Sequence, residues 1–211
     1  MRRSIVCLSL FFILLAFVTI GLLISDPSYW LPPDPANEIV IQLAEAVESR
    51  VTTQTTMVRT EAEEWELELT DGEVNAWLAT RLPLWMENQG IDPEPLDSIP
   101  RGVVHFEPRG IHVAAEFNAS RIVAVRYFPV SDAVTGGLSL RLTAIQVGRM
   151  PVPLTLKDHL VAEKLKGLFR SVERIEPVLT LDDGRVVEVV RVELLDGRAR
   201  FHCRTRRTIL R

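Results

Sequence analysis

The sequence predicts an α+β fold: an amino-terminal transmembrane helix, then a curved antiparallel sheet packed on one or two helices. Three observations predict it. The twenty residues Ile5–Ile24 contain no charge, and fifteen of them are Leu, Ile, Val or Phe. A capped helix with one apolar stripe follows between Thr70 and Met86. After Gly102, apolar and polar residues alternate between turns marked by Gly and Pro, as antiparallel strands do. The chain divides into an anchor over residues 1–25, a Pro-rich spacer over 26–35 and an exported domain over 36–211.

The anchor is an argument about length and charge. Twenty helical residues rise about 30 Å, the thickness of a hydrocarbon core. Each central Leu, Ile, Phe or Val favours insertion by about 0.3–0.6 kcal/mol, so the run as a whole inserts by several kcal/mol. Arg2 and Arg3 precede it and Asp26 follows it, which puts the amino terminus in the cytoplasm and the carboxy-terminal domain outside. Tyr29 and Trp30 fall where an interfacial aromatic belt would sit. A cleaved signal peptide is the rival reading, but the run is longer than the usual apolar region and Gly21–Ser25 offers no Ala-x-Ala site. Cys7 opens the run instead of closing it, so no lipobox is present. The membrane bilayer is therefore the first expected partner, through residues 5–24. Prolines at 27, 32, 33 and 35 make the next segment a stiff spacer that holds the domain off the bilayer.

In the domain, Val40, Leu43, Ala44, Val47 and Val51 repeat at helical spacing, and the Thr-rich stretch after Val51 weakens the pattern. Trp65, Leu67 and Leu69 alternate with glutamates, which predicts a half-buried strand with Glu64, Glu66 and Glu68 on its wet face. Thr70 and Glu73 form a Thr-x-x-Glu capping box. Behind it Val74, Trp77, Leu78, Leu82, Trp85 and Met86 line one helical face, with Pro83 predicting a kink or a new short helix. Residues 88–100 read as a Pro-rich loop. Val103–Glu107 and Ile111–Phe117 flank the turn Pro108-Arg109-Gly110. Strands follow over Arg121–Val130 and from Leu138, then a short helix over Lys157–Phe169. Arg185–Leu195 and Arg198–Thr205 are joined by Asp196-Gly197, a type I′ turn signal.

Sequence offers little chemistry. There is no Gly-x-Ser-x-Gly elbow, no His-Glu-x-x-His, no phosphate-binding glycine loop and no cysteine pair for zinc, so neither a catalytic set nor a cofactor is expected. His105 and His112 could face each other across a hairpin. Glu107 or Glu116 would then have to complete a metal site, and solvated strand residues are the simpler reading. Cys203 alternates with Phe201 on a strand and reads as a small buried hydrophobe. Asn118-Ala119-Ser120 fits a glycosylation pattern. Residues 34–97 hold fifteen acidic and three basic side chains, whereas 101–211 hold twelve acidic and nineteen basic. The terminal arginines 198, 200, 204, 206, 207 and 211 either attract anionic lipid and cell-wall polymers or pair with the acidic half, and pairing is the simpler reading. Nucleic acid is not an expected partner for an exported domain with pI near 5.7.

Several pieces in order resemble a bacterial membrane-anchored family, the YpmS-like proteins. Leu69-Thr70-Asp71-Gly72-Glu73-Val74-Asn75-Ala76-Trp77 is similar to its Leu-Thr-x-x-Glu-Leu-Asn-x-Leu helix start, with Val74 and Trp77 standing where that family carries Leu. Leu138–Leu142 leading into Val147-Gly148-Arg149-Met150-Pro151-Val152-Pro153 resembles its strand followed by Leu-Gly-x-Leu-x-Ile-Pro, and the closing hairpin Val189–Arg204 is comparable. The likeness implies a layout similar to bacterial tubular lipid-binding domains, in which a curved sheet wraps a helix and leaves an apolar groove. It brings no catalytic residues.

The expected function is that of an anchored extracytoplasmic domain that binds a lipid or another amphiphile near the membrane, with Trp77, Leu78, Leu82 and Trp85 as the groove wall. A non-catalytic envelope interaction or scaffold protein, its protein partner unspecified, is the alternative, and a hydrolase the third reading.

Overall fold

The computed structural model of the chain describes residues 14–15, 17–59, 63–88, 90, 101–117, 121–131, 138–156 and 178–207. Helix α1 covers residues 14–24 apart from residue 16. Among the described residues no helix is long and apolar enough to cross a membrane, and residues 5–13 of the expected span lie outside them.

Helix α2 runs Glu38–Thr56, five residues further than the periodicity predicted. Its cap is Asn37, whose side chain accepts from the Ile39 amide at 2.9 Å. The threonines extend it instead of ending it. Thr55 and Thr56 hydroxyls donate to the Val51 and Thr52 carbonyls at 2.8 and 2.7 Å, which removes their competition with the backbone. Strand β1 (Glu64–Thr70) passes directly into α3 (Asp71–Thr80) through the predicted capping box: Thr70 takes the Glu73 amide, and Glu73 reaches back to the Thr70 amide at 2.8 Å. A new helix, α4 (Leu82–Asn88), starts with Pro83 in its first turn, as Pro83 requires.

The strands form two antiparallel sheets where one curved sheet was expected. The five-stranded sheet is ordered β2 (Gly102–Glu107), β3 (Gly110–Phe117), β4 (Arg121–Ser131), β5 (Leu138–Val147) and β6 (Met150–Val152). Beyond β6, one 3-10 turn covers Leu154–Leu156. The four-stranded sheet is β1, β9 (Arg198–Arg207), β8 (Arg185–Leu195) and β7 (Val178–Thr180). Its β8–β9 hairpin turns at Asp196-Gly197, with Gly197 at φ 70°, the sign the predicted turn demands. The expected loop over 88–100 (Asn88, which ends α4, and Gly90 aside), the helix over Lys157–Phe169, Cys7 and Asn118-Ala119-Ser120 lie outside the described residues.

The edge of the five-stranded sheet is closed by a helix. Asp71 and Asn75 lie four residues apart on α3, a rise of about 6 Å, which matches two residues of strand. The Asn75 amide group takes the Val104 N–H at 2.6 Å and donates to the Val104 carbonyl at 2.8 Å. Asp71 takes the Phe106 N–H at 2.9 Å, and the Phe106 carbonyl accepts the Gly197 amide at 3.0 Å. The backbone of β2 is thus satisfied by side chains and by the other sheet's turn, which protects it against edge pairing. It also explains why α3 buries Asn75 and Ala76 while Val74, Trp77 and Leu78 stay half-buried.

Part of the 26–35 segment packs on the domain. Tyr29 and Trp30 pack on Ala114, Ile122 and Ala124 of the five-stranded sheet, where the two alanines leave room for two rings. The turn after β5 then meets the end of α1. The Arg149 amide donates to the Leu22 carbonyl at 2.8 Å, and its Nε to the Asp26 carbonyl at 2.8 Å, a cationic cap at a helix carboxyl end. Gly148, at φ +59°, lies so close that a Cβ would stand 2.5 Å from the Leu23 carbonyl oxygen.

Candidate functional site

Among the described residues, an apolar concavity lies on the four-stranded sheet. The alternation that defines β1 and β9 turns Trp65, Leu67, Leu69, Phe201 and Cys203 to one face, and β8 adds Val187 and Val189. Together with Val178 and Leu179 of β7 they surround a cleft of about 260 Å³, and Thr55 at the end of α2 is the one polar residue in its wall. Trp65, Val187 and Cys203 are its buried floor. The indole N–H of Trp65 donates to the Thr205 hydroxyl at 3.1 Å, so its polar edge is satisfied inside the sheet. Burial pushes the Cys203 thiol up to about 11 against a smaller opposing pull from Arg59, so at neutral pH it stays protonated.

At the mouth, Arg59 lies over the Trp65 ring with its guanidinium carbon 4.0 Å from the centroid, and it donates to the Gln54 carbonyl and side chain. Arg185 donates to the Thr56 and Met57 carbonyls at 2.8 and 2.9 Å, which fixes the end of α2 against the sheet. Met57, Val58, Val178 and Leu179 are exposed around this opening.

None of the four predicted wall residues lines this cleft. Trp77, Leu78 and Leu82 are half-buried on α3 and α4, and Trp85 is exposed. Of the cleft residues, Trp65, Leu67, Leu69, Phe201 and Cys203 were visible in sequence as strand alternation, and the signal that could have brought them together is their pairing. Glutamates alternate on β1 and arginines on β9, which is what two facing antiparallel strands present on a wet face. A shallower polar groove of about 490 Å³ along α2 is lined by Glu45, Glu48 and Arg81, and there Arg81 already pairs with both glutamates at 2.7 and 3.3 Å.

The histidines do meet. His105 and His112 are cross-strand partners with ring centroids 6.0 Å apart. His105 Nδ1 lies 2.5 Å from Asp71, and its Nε2 lies 3.5 Å from Glu107. His112 Nε2 is 3.3 Å from the other Glu107 oxygen. Tyr29 stacks on His105 at 4.9 Å and 12°. Burial, with Glu107 adding to it and Arg126 opposing, raises the Tyr29 hydroxyl to about 12. Burial also lowers His112 below the ordinary 6.5; Glu107 pulls it up, and Arg126 and His105 push it down. Both His105 nitrogens face carboxylates and a ring covers the imidazole, so the cluster works as a latch for the 26–35 segment. Glu116 lies at the far end of β3 from this pair, and no group of three or more metal-ligating side chains occurs among the described residues.

Four of the terminal arginines are paired among the described residues. Arg204 meets Glu64, Arg200 meets Glu66, Glu68 and Glu193, Arg198 meets Glu68, and Arg206 meets Glu188. They form a charge ladder on the wet face of the sheet whose other face is the cleft.

No protein-family model, no curated protein and no solved structure matches this chain.

Proposed function

We propose that the chain is a membrane-anchored extracytoplasmic domain that takes the apolar part of a lipid or another amphiphile into the cleft of the four-stranded sheet. The observation that carries this reading is the cleft wall: about 260 Å³ surrounded by apolar side chains with Thr55 the exception, opening beside exposed Met57, Val58, Val178 and Leu179. That volume exceeds a cavity of about 150 Å³ that takes up benzene and lies just under the roughly 300–1,000 Å³ of drug-sized ligand sites. That scale suits part of one acyl chain and not two. The uncharged run Ile5–Ile24 supports the anchor, and the charges flanking it support an amino terminus in the cytoplasm. A tethered cleft meets membrane lipid at high effective concentration. The resemblance to the YpmS-like proteins is of a piece with this reading, and kinship with them is part of the proposal.

The test is native mass spectrometry and lipid extraction on the full chain taken from membranes. A co-purifying single-chain amphiphile is expected, and Leu179→Glu, at an exposed position of the mouth, should lose it without a change in melting. A chain that is always empty, or a lipid load indifferent to Leu179→Glu, overturns the proposal. A phosphatase reporter fused after Arg211 should be active outside the cell. The second reading, a protein-interaction module, is favoured by β7, an edge strand whose three residues are all exposed. A stable complex lost on Leu179→Glu, in a chain without lipid, selects that reading instead.

A further inference from the structure

One end of the five-stranded sheet collects three arginines. Arg101 precedes β2, Arg121 opens β4, and Arg149 stands in the turn between β5 and β6. The register brings them to the same end: Gly102 faces Ala115, Phe117 faces Arg121, Val123 faces Val147, and Val147 faces Met150. Backbone bonds tie that end together. The Glu116 amide donates to the Arg101 carbonyl at 3.1 Å and the Gly148 amide to the Ile122 carbonyl at 2.7 Å. All three side chains are exposed, and among the described residues none of the three forms an ion pair. The arginines of the four-stranded sheet, such as Arg200 and Arg204, do have carboxylate partners. The acidic residues at the arginine-rich end, again among the described residues, are Asp26 and Glu116, and Glu116 is half-buried.

The carboxyl end of α1 rests on this same end of the sheet. Arg149 caps it through the Leu22 and Asp26 carbonyls, and Gly148 fits beneath it with no room for a side chain. The tight seat and the Tyr29 stack hold the sheet at a fixed angle to the helix. If residues 5–24 cross the bilayer, Arg101, Arg121 and Arg149 stand at the plane where the helix leaves it. The strands they belong to span about 15 Å at the usual strand spacing. Such a row matches a plane of charges and not a single phosphate.

We propose that this end of the sheet is a docking surface for anionic lipid headgroups, contacted by Arg101, Arg121 and Arg149. The proposal rests on reading residues 5–24 as a membrane anchor. Long basic side chains near an anionic leaflet reach its headgroups, and each raises local occupancy about fivefold within a Debye length of the surface.

The full chain in lipid nanodiscs tests it by arginine labelling. Phenylglyoxal modification is followed residue by residue with mass spectrometry, in discs of phosphatidylcholine and in discs with about 30 mol % phosphatidylglycerol. Arg101, Arg121 and Arg149 should label about fivefold more slowly in the anionic discs, and salt near 0.5 M should abolish the difference. Arg109 is the internal control, since it is exposed in the β2–β3 turn at the opposite end of the sheet. Its rate should not depend on lipid charge. Equal rates for the three arginines in both discs, or protection of Arg109 to the same extent, overturn this surface and leave the anchor standing. A chain that carbonate strips from membranes overturns the anchor, and the surface with it.

Discussion

The two sheets deal with their apolar faces in opposite ways. The five-stranded sheet covers one with the chain's own residues: Tyr29 and Trp30 lie on Ala114, Ile122 and Ala124, and α3 closes the β2 edge through Asp71 and Asn75. On the four-stranded sheet the apolar face forms a cleft of about 260 Å³, and its opposite face carries the charge ladder. The difference locates the candidate ligand site. The first face is covered by the half-buried rings of Tyr29 and Trp30 beside His105 and the buried His112, whereas the face lined by Leu67, Val189 and Phe201 has room, with Thr55 as the polar side chain in its wall.

Removing the floor of the cleft should cost most. Trp65→Ala empties a buried site between Val187 and Cys203 and strands the Thr205 hydroxyl, so a loss of about 3–5 kcal/mol in denaturant unfolding is expected. A much smaller loss would mean that the cleft is not a packed floor at all. On the other sheet, Asn75→Ala leaves the Val104 N–H and carbonyl without their partners, for about 1–3 kcal/mol. That variant should also begin to self-associate through the bared β2 edge, which sedimentation would detect. If it stays monomeric and fully stable, the edge is protected by something other than α3.

How legible this was in the sequence depends on range. Trp65/Leu67/Leu69 against glutamates, Ala199/Phe201/Cys203 against arginines, the Thr70–Glu73 box and Asp196-Gly197 are local signals, and each led to the element observed. What could not be read locally was which strands pair. Glu64 faces Arg204 across a separation of 140 residues, and the division into two sheets follows from that pairing. Tyr29 and Trp30 fit a membrane belt as well as a protein shelf, and the room for the shelf, Ala114 opposite Ala124, is visible only once β3 and β4 are paired. Asn75 was invisible for a similar reason. A polar residue on a helix looks solvated until the strand edge that it closes is placed beside it.

The latch on the five-stranded sheet should respond to acid and the cleft should not. His112 is buried, and the groups around it are Glu107, His105, Arg126 and Tyr29. Its proton affinity in the fold lies below the ordinary 6.5, mainly through burial. The unfolded chain then binds more protons as pH falls below 6.5, so this contribution to stability is full above 6.5 and is lost as pH falls through the folded value. Melting followed from about pH 8 down to about pH 5, above the carboxylate range, should show a decline that His112→Gln flattens. The effect should be smaller than that of Asn75→Ala. An unchanged slope in His112→Gln would assign the acid response to another group.

The smallest effects should separate the paired arginines from the unpaired ones. Glu68 lies 3.2 Å from Arg198 and 3.1 Å from Arg200, but more than a third of its side chain is exposed, so water and salt screen the pairs. Glu68→Gln should cost about 1 kcal/mol or less and lose even that at high salt. Arg121 has no carboxylate partner among the described residues, so Arg121→Gln should leave stability unchanged at every salt concentration. The charges of the ladder on the wet face of the cleft sheet answer to one another. Arg121 at the end of the other sheet answers to no carboxylate among the described residues, and a measurable stability loss in Arg121→Gln would show an internal role for it.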